Sequence, residues 1–371
     1  MSSSSIKTRL LIISDTHGAS LFEDTAEEPR SSNTRRDNDQ PTIHGFRRPL
    51  PSADVAIHCG DLTKSSSSRE YQATFDLMRS LDAPLKLLIA GNHDIALDPE
   101  QLELLPHRRR RLAPIAELLR GLRAEDGIHL LDEGAHHFVL RNGARLAVYA
   151  SPYTPEYGGW AFQYRGRHEF AIPPGTDVAV THGPPRGVLD RSYHGSGAGC
   201  EYLMESVARA RPRVHCFGHI HEAWGAKLVT WEGGSVPSAS VGEGSAVDEE
   251  KSVLLEDLGT LEGTRWDDLE TRRAKKARAE TMARSRCAQV SLCQGDERRL
   301  ESRRQTLFVN AAIMDVRYRP YQLPWLIDID LPPPDEEHIS KAEATAARLR
   351  EPTTTASIEE VVAASSATQG Y

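Results

Sequence analysis

Cysteine is scarce in this chain and poorly spaced for building structure. Cys59, Cys200, Cys216, Cys287 and Cys293 are odd in number and scattered, and no two form a CxxC pair. That arrangement argues against a disulfide framework or a thiolate zinc site and suits reduced thiols in an intracellular protein, cytoplasmic with the nucleus as the alternative. Long apolar runs are missing too. The run at residues 10–13 is far too short to span a membrane, and it leads into Asp15 and His17 rather than a small-residue cleavage site. Neither a transmembrane helix nor a secretory signal is expected. Positive charge is not in excess either: a net charge of -8 argues against non-specific binding to nucleic acid or acidic membranes, although local basic stretches survive the average.

What the chain does have is an ordinary globular composition, 39% hydrophobic with 27 glycines over 371 residues, enough for a sizeable core. It also has five short apolar runs that end in polar residues of one kind. Residues 85–89 stop at Gly91, Asn92, His93 and Asp94; residues 10–14 run into Asp15, Thr16 and His17; residues 55–59 run into Gly60 and Asp61. Residues 178–180 run into Thr181 and His182, and residues 214–217 into Gly218, His219, Ile220 and His221. Each run is too short for a core helix and reads as a buried strand. If the strands lie side by side, their ends converge on one edge, where open α/β sheets hold ligands.

Between these runs the reading is coarser. Residues 19–51 carry little periodic apolar content and read as a mobile insertion. Ser67 and Glu70 make a capping box for a helix through Tyr71, Phe75, Met78 and Leu81. Residues 99–122 are helical in pattern, broken by Pro106 and Pro114, with a basic run at 107–111 that reads as a solvated face. Asn142-Gly143 joins two strands as a hairpin opening a second sheet. The aromatic loop with Tyr153 and Trp160 either packs on neighbouring loops or walls a pocket for a nucleobase or aryl group. Residues 260–305, rich in arginine and lysine, read as an exposed helical or disordered insertion, with nucleic-acid contact as the sharper alternative. Residues 306–313 and 325–329 are strand-like, and the tail 332–371 reads as disordered.

A lone histidine beside a strand is more often structural than a ligand, but the five endings together point to a metal site. Carboxylate, imidazole and amide oxygen without thiolate suit manganese, iron or zinc. In their order, Asp15-x-His17, Gly60-Asp61, Gly91-Asn92-His93, Thr181-His182 and Gly218-His219-x-His221 resemble the motifs of the calcineurin-like metallophosphoesterases. Ser151-Pro152 with Trp160-Ala161-Phe162, Gly183-Pro184-Pro185, Gly199-Cys200, Ile220-His221-Glu222 and Phe308-Val309-Asn310-Ala311 resemble the metallophosphoesterase-domain-containing, or class III phosphodiesterase, branch, in an insertion-bearing form of fungal type. The resemblance covers about residues 6–331, taken as one domain apart from the insertions. It implies an α/β fold of two packed mixed β-sheets flanked by helices, an αββα sandwich.

Carried over by position, the resemblance places Asp15, His17 and His221 on one divalent ion and Asn92, His182 and His219 on another, with Asp61 bridging. Two such ions hold a hydroxide for in-line attack on phosphorus and clamp the phosphoryl oxygens. His93 is then free to protonate the leaving oxygen. The expected activity is a phosphodiesterase acting on small nucleotide-like or aryl diesters, with His93, Asp61 and Asn92 as its catalytic residues. Arg186, Tyr153, Trp160 and Asn310 are candidate substrate contacts, although Asn310 could equally close a turn. Two departures stand out: the insertion between Asp15 and Asp61 is long, and Leu62-Thr63-Lys64 follows Asp61 where protein serine/threonine phosphatases have Asp-Arg-Gly. Arg186 could replace the missing clamp. A phosphomonoesterase acting on protein or small molecules, or a metal-loaded binding or scaffold protein, is the competing reading. The expected partner is a small phosphoester; nucleic acid is not favoured, no membrane is expected, and protein partners are unassigned.

Overall fold

The computed structural model describes residues 5–23, 46–104, 112–122, 126–233, 247–350 and 358. In chain order, β1 (Ile6–Ile13), β2 (Val55–His58), α1 (Ser68–Ser80), β3 (Leu85–Leu88), α2 (Pro99–Leu104), α3 (Leu112–Arg120) and β4 (Ile128–Leu130) come first. The hairpin β5 (Gly134–Val139) and β6 (Arg145–Ser151) follows, then β7 (Thr154–Pro155), β8 (Gln163–Tyr164), β9 (Val178–Thr181), α4 (Glu201–Ala210) and β10 (Val214–Phe217). The last elements are β11 (Gly225–Trp231), β12 (Val247–Asp257), α5 (Leu258–Leu261), α6 (Leu269–Ser285), β13 (Ala288–Ser291), β14 (Gln305–Asn310), β15 (Trp325–Leu331) and α7 (Glu336–Arg348).

Alternation along the strands builds the layers. In β1, Leu10 and Ile12 enter the core between two sheets, while Leu11 and Ile13 face the other way, onto α1 and α3. One sheet runs β13-β15-β1-β2-β3-β4 and the other β12-β11-β14-β10-β9-β6-β5, both mixed. Val148, Val180, Cys216 and Val309 of the second sheet meet the first, and its outer face, with Phe217 and Phe308, packs on Leu203 and Val207 of α4. The result is the expected αββα sandwich. In α1, Ser67 Oγ accepts the Glu70 N–H at 3.3 Å and the Glu70 carboxylate accepts the Ser67 N–H at 3.0 Å. Ser67→Ala is expected to cost about 1 kcal/mol, read as a lower urea midpoint with unchanged slope.

The parallel strands set the position of the site. β1, β2 and β3 run parallel in the first sheet, as β9, β10 and β14 do in the second. A Ser14–Ala312 bridge joins the two sheets where β1 and β14 end. The five polar endings therefore meet from two facing sheets instead of along the edge of one.

Several segments differ from the sequence reading. Pro114 lies inside α3, where the first turn needs no N–H from it. Of residues 19–51, 24–45 lie outside the described residues, but the flanks are anchored by buried Leu21, Phe46 and Leu50. Residues 260–305 are more than an exposed insertion: α6 is mostly exposed but buries Ala279 and packs Met282 on the core, and β13 pairs in parallel with β15 and inserts Ala288 between the sheets. The tail is not simply disordered, since residues 336–348 form α7 against the edge strand β5. His338 Nε2 meets Phe138 O at 2.9 Å, Thr345 Oγ1 accepts the His137 N–H at 3.0 Å, and Arg348 donates to Ala135 O at 2.7 Å. A helix that docks by satisfying an open edge needs little apolar periodicity, which is why composition missed it. Beyond residue 350 only Ile358 is described, and it is buried. All five cysteines are buried and free. Among the described residues, no helix is long and apolar enough to cross a membrane.

Candidate metal centre

Asp15, His17, Asp61 and His219 all have positive φ, 53°, 47°, 54° and 67°. Non-glycine residues rarely adopt this left-handed region, and where they do the surrounding structure holds them there, commonly at working sites. Here it lets the chain turn as soon as a strand ends, so that each side chain points back over the rim. The loops after β1 and β2 run in register, with the Asp15 N–H on Gly60 O at 3.0 Å and the His17 N–H on Asp61 O at 3.1 Å. Gly91 cannot carry a side chain: a Cβ there would lie 2.4 Å from Asp61 Oδ1.

The histidines are oriented from behind. His17 Nδ1 donates to Thr63 O at 3.0 Å, His182 Nδ1 to Cys59 O at 3.0 Å and His221 Nδ1 to Asp315 O at 3.2 Å. A carbonyl only accepts, so each Nδ1 carries the proton and each Nε2 faces the cleft. The Nε2 atoms of His17 and His221 face each other at 3.4 Å; His221 Nε2 stands 3.4 Å from Asp15 Oδ1, and His182 Nε2 is 3.4 Å from Asp61 Oδ1 and 2.8 Å from Asn92 Oδ1. Asp61 Oδ2 is 3.7 Å from His17 Nε2, so its two oxygens face the two histidine groups. His219 lies with its ring centroid 5.0 Å from that of His182, and its backbone N–H donates to Asp15.

Two imidazole lone pairs facing each other beside buried carboxylates need a cation between them. Ligands each about 2.1 Å from one ion stand about 3.0–3.4 Å apart, close to the separations here. The electrostatics agree. Burial, reinforced by the Asp15 charge, pushes Asp61 up to about 7, and burial pulls His17 and His219 down to about 3. At His221 burial, the largest single influence, is outweighed only by the Asp15 hydrogen bond together with the Asp15 and Asp61 charges and the Asp315 carbonyl, so the surroundings of this ring favour positive charge, which a bound cation would supply. Asp15, His17 and His221 form one compact ligand group, and Asp15, Asp61 and His182 another. The donor set, all nitrogen and oxygen, fits a dinuclear divalent centre.

His93 stands beside this cluster. Its backbone N–H donates to Asp61 Oδ1 at 2.8 Å and its Nδ1 to Lys64 O at 2.9 Å, and Nε2 has no hydrogen bond among the described residues. Trp160 lies against the ring at a centroid distance of 4.2 Å, so this aromatic does reach the site. The other candidate substrate contacts do not. Tyr153 packs against Phe162 and His168. Arg186 is exposed in a separate cavity with Tyr164, Cys200 and Tyr202. Asn310 is fully buried, donates to Ile220 O at 2.9 Å and accepts the Ala312 N–H at 3.2 Å, so it shapes the loop carrying His219 and His221 instead of lining the cleft.

Sequence reasoning missed two features of the site. Asp94 is buried and accepts from Leu62 N and Thr63 N at 3.0 Å each and from Gly91 N at 2.8 Å, which ties the Asp61 loop to the Asn92 loop. Its place next to the Gly91-Asn92-His93 motif was a usable signal. Tyr318, at φ 58°, sets its ring 4.9 Å from that of His17 and 5.3 Å from that of His221. Nothing local in its stretch of sequence marks it.

A metal-ligand cluster at the joined rims of an αββα sandwich defines a metallophosphoesterase architecture. The profile of the calcineurin-like phosphoesterase family matches residues 8–223, and the chain belongs to that family. It is 34% identical over 186 residues to human "Metallophosphoesterase domain-containing protein 1", covering 47% of this chain and 56% of that protein. The "UPF0046 protein T07D4.2" of Caenorhabditis elegans is 32% identical, with coverage of 47% and 48%. "Probable rhamnogalacturonate lyase C" of Emericella nidulans is 36% identical over 51% of this chain but only 17% of its own length. The chain thus spans about half, or less, of the length of these relatives.

Proposed function

We propose that the chain is a dinuclear metal-dependent phosphodiesterase for small nucleotide-like or aryl diesters. The observation that carries this reading is the convergence of Asp15, His17, Asp61, His182 and His221 from two sheets, with Asn92 and His219 against His182 and the His93 ring beside them. Asp15, His17 and His221 would hold one ion, Asn92, His182 and His219 the other, and Asp61 both. Bound there, divalent ions supply Lewis-acid charge for the phosphoryl oxygens and lower the pKa of water. The residues themselves do the remaining work. Backbone carbonyls fix the imidazole tautomers, Asp94 locks the two central loops together, and His93, with its Nδ1–H on Lys64 O, presents Nε2 to the departing oxygen, to which its doubly protonated form delivers a proton. Trp160 against His93 offers a flat apolar wall where an ester substituent leaves, which supports a diester over inorganic or protein phosphate.

The test is hydrolysis of an aryl phosphodiester beside the matching monoester, with bound metal counted. Diesterase activity requiring two metals per chain supports the reading. A monoester preference would make the chain a phosphatase, and a folded, metal-loaded protein inert on both would make it a binding protein. In the same assay His93→Gln is expected to lower kcat about a hundredfold with metal content unchanged. The loss should shrink for a diester whose leaving group is a weakly basic phenol, because that oxygen needs less help from an acid. Equal losses for all leaving groups would remove His93 from that role.

A further inference from the structure

We propose that Lys64 is the protein cation that receives the substrate's phosphoryl oxygens, held ready on the face of Tyr318. This rests on the phosphoester reading of the site and adds to it the group that recognises the anion.

Lys64 is tied to the site through its backbone, because its carbonyl takes the His93 Nδ1 proton at 2.9 Å and it lies three residues after Asp61. Its side chain is exposed, and its Nζ stands 4.4 Å from the centroid of the Tyr318 ring. That ring is itself docked on the metal cluster, 4.9 Å from His17, 5.3 Å from His221 and 6.3 Å from His93. The ammonium thus shares the Tyr318 ring with ligands of one ion, and the carbonyl of the same residue holds the general acid. Among the described residues no carboxylate pairs with it, although the charges of Asp61 and Asp15 are felt at the same Tyr318 ring. An ammonium resting on a π face turns only part of its three N–H donors to the ring and is not neutralised by it, so its charge and remaining donors stay available to an incoming oxyanion.

Tyr318 is placed with comparable care. Asp315 O accepts both the Tyr318 N–H, at 2.9 Å, and the His221 Nδ1 proton, at 3.2 Å, so one carbonyl sets the perch and a metal ligand together. Asp315 Oδ1 also accepts the N–H groups of Arg317 and Arg319 at 2.8 and 2.9 Å, closing the turn in which Tyr318 takes its left-handed conformation. Lys64 touches substrate in this arrangement, and Tyr318 is a positioning residue acting through it. The substrate class that follows is a phosphate ester with free oxygens at the cleft mouth. Arg186, facing a different cavity, is not needed for that clamp.

The metal-loaded full chain, titrated with inorganic phosphate by calorimetry and assayed on an aryl phosphodiester, tests this. Lys64→Met should weaken phosphate binding and raise KM by about tenfold each, with kcat within about threefold and metal content unchanged, while Lys64→Arg stays close to the parent. Tyr318→Leu should reproduce part of the Lys64→Met loss, about threefold, and Tyr318→Phe, which keeps the ring, should not. Parental phosphate affinity and KM in Lys64→Met would overturn the proposal. So would equal losses in Tyr318→Phe and Tyr318→Leu, which would assign the effect to the hydroxyl. If the parent binds phosphate through Lys64 but hydrolyses nothing, the clamp stands and the phosphodiesterase reading falls. If the parent is active and Lys64→Met matches it, the clamp falls and the phosphodiesterase reading stands.

Discussion

Asp61→Asn is expected to lower diester hydrolysis by at least about a thousandfold and to reduce bound metal from two ions per chain to one or none. The two oxygens of Asp61 face different histidines, His182 Nε2 at 3.4 Å from Oδ1 and His17 Nε2 at 3.7 Å from Oδ2. Oδ1 also accepts the His93 N–H at 2.8 Å, a bond an asparagine can keep only by placing its oxygen there. The amide NH2 then falls at the Oδ2 position and aims N–H donors at the space between His17 and the carboxylates. A negative charge is lost and a cation site is blocked in one step. An Asp61→Asn protein that retained two ions and parental turnover would remove Asp61 from the bridge.

The same residue gives a pH signature in the metal-free protein. Burial and the Asp15 charge raise the folded-state pKa of Asp61 from its ordinary value of 3.8 to about 7. Between those values the folded chain keeps a proton that the unfolded chain has lost. The native state then binds more protons, so stability falls as pH rises through this window and the full penalty is present above it. Asp94, also pushed to about 7 by burial and the Asp61 charge, acts in the same direction. The buried imidazoles pulled down to about 3, His17 and His219 among them, act in the opposite direction, so the Asp61 contribution is read by difference: metal-free Asp61→Asn should gain in melting temperature on the metal-free parent between pH 5 and pH 8, and saturating divalent metal should abolish that gain. A parent-to-variant difference that does not change between pH 5 and pH 8 would mean that Asp61 ionises there without cost.

The parts of the site legible in the sequence are those where chemistry and strand ending coincide. Asp15, His17, Asp61, Asn92, His182, His219 and His221 each follow a short apolar run, and a run that stops at a polar residue is a local signal. The capping box at Ser67 and the hairpin at Asn142-Gly143 are local for the same reason. What escaped depends on partners far away in the chain. Tyr318 works only because Lys64 and His17 both pack on its ring, and α7 docks where β5 offers an unpaired edge. Asn310 read as a candidate contact because it ends a strand as the ligands do, but its amide is spent on Ile220 O. Asp15, His17, Asp61 and His219 take the left-handed turn at their own positions, whereas Asn92, His182 and His221 reach the cleft without it; what removes Asn310 is its bonds to Ile220 O and the Ala312 N–H, partners no local pattern shows.

Gly218→Ala should be as damaging as the loss of a ligand, although it adds only a methyl group. A Cβ at this position would lie 1.9 Å from Asp15 Oδ2 and 2.2 Å from Ser14 Oγ, far inside any tolerated contact. Gly218 cannot retreat, because its N–H is bonded to His182 O at 2.9 Å and its carbonyl takes the Ile220 N–H at 2.8 Å. Either the Asp15 carboxylate swings away or the segment bearing His219 and His221 lifts off, and both movements separate ligands assigned to the two ions. Overpacking of this kind costs about 1–3 kcal/mol of stability, yet the loss of activity should exceed about a thousandfold, because misplacing ligands is punished more heavily than strain. Ser67→Ala, with a stability cost of similar order and no contact with the ligands, separates the two effects: it should keep both ions and parental turnover. Gly91→Ala, whose Cβ would meet Asp61 N at 2.2 Å, should behave like Gly218→Ala from the opposite sheet. If Gly218→Ala binds two ions and turns over diester like the parent, the rim where the two sheets meet is not the metal centre.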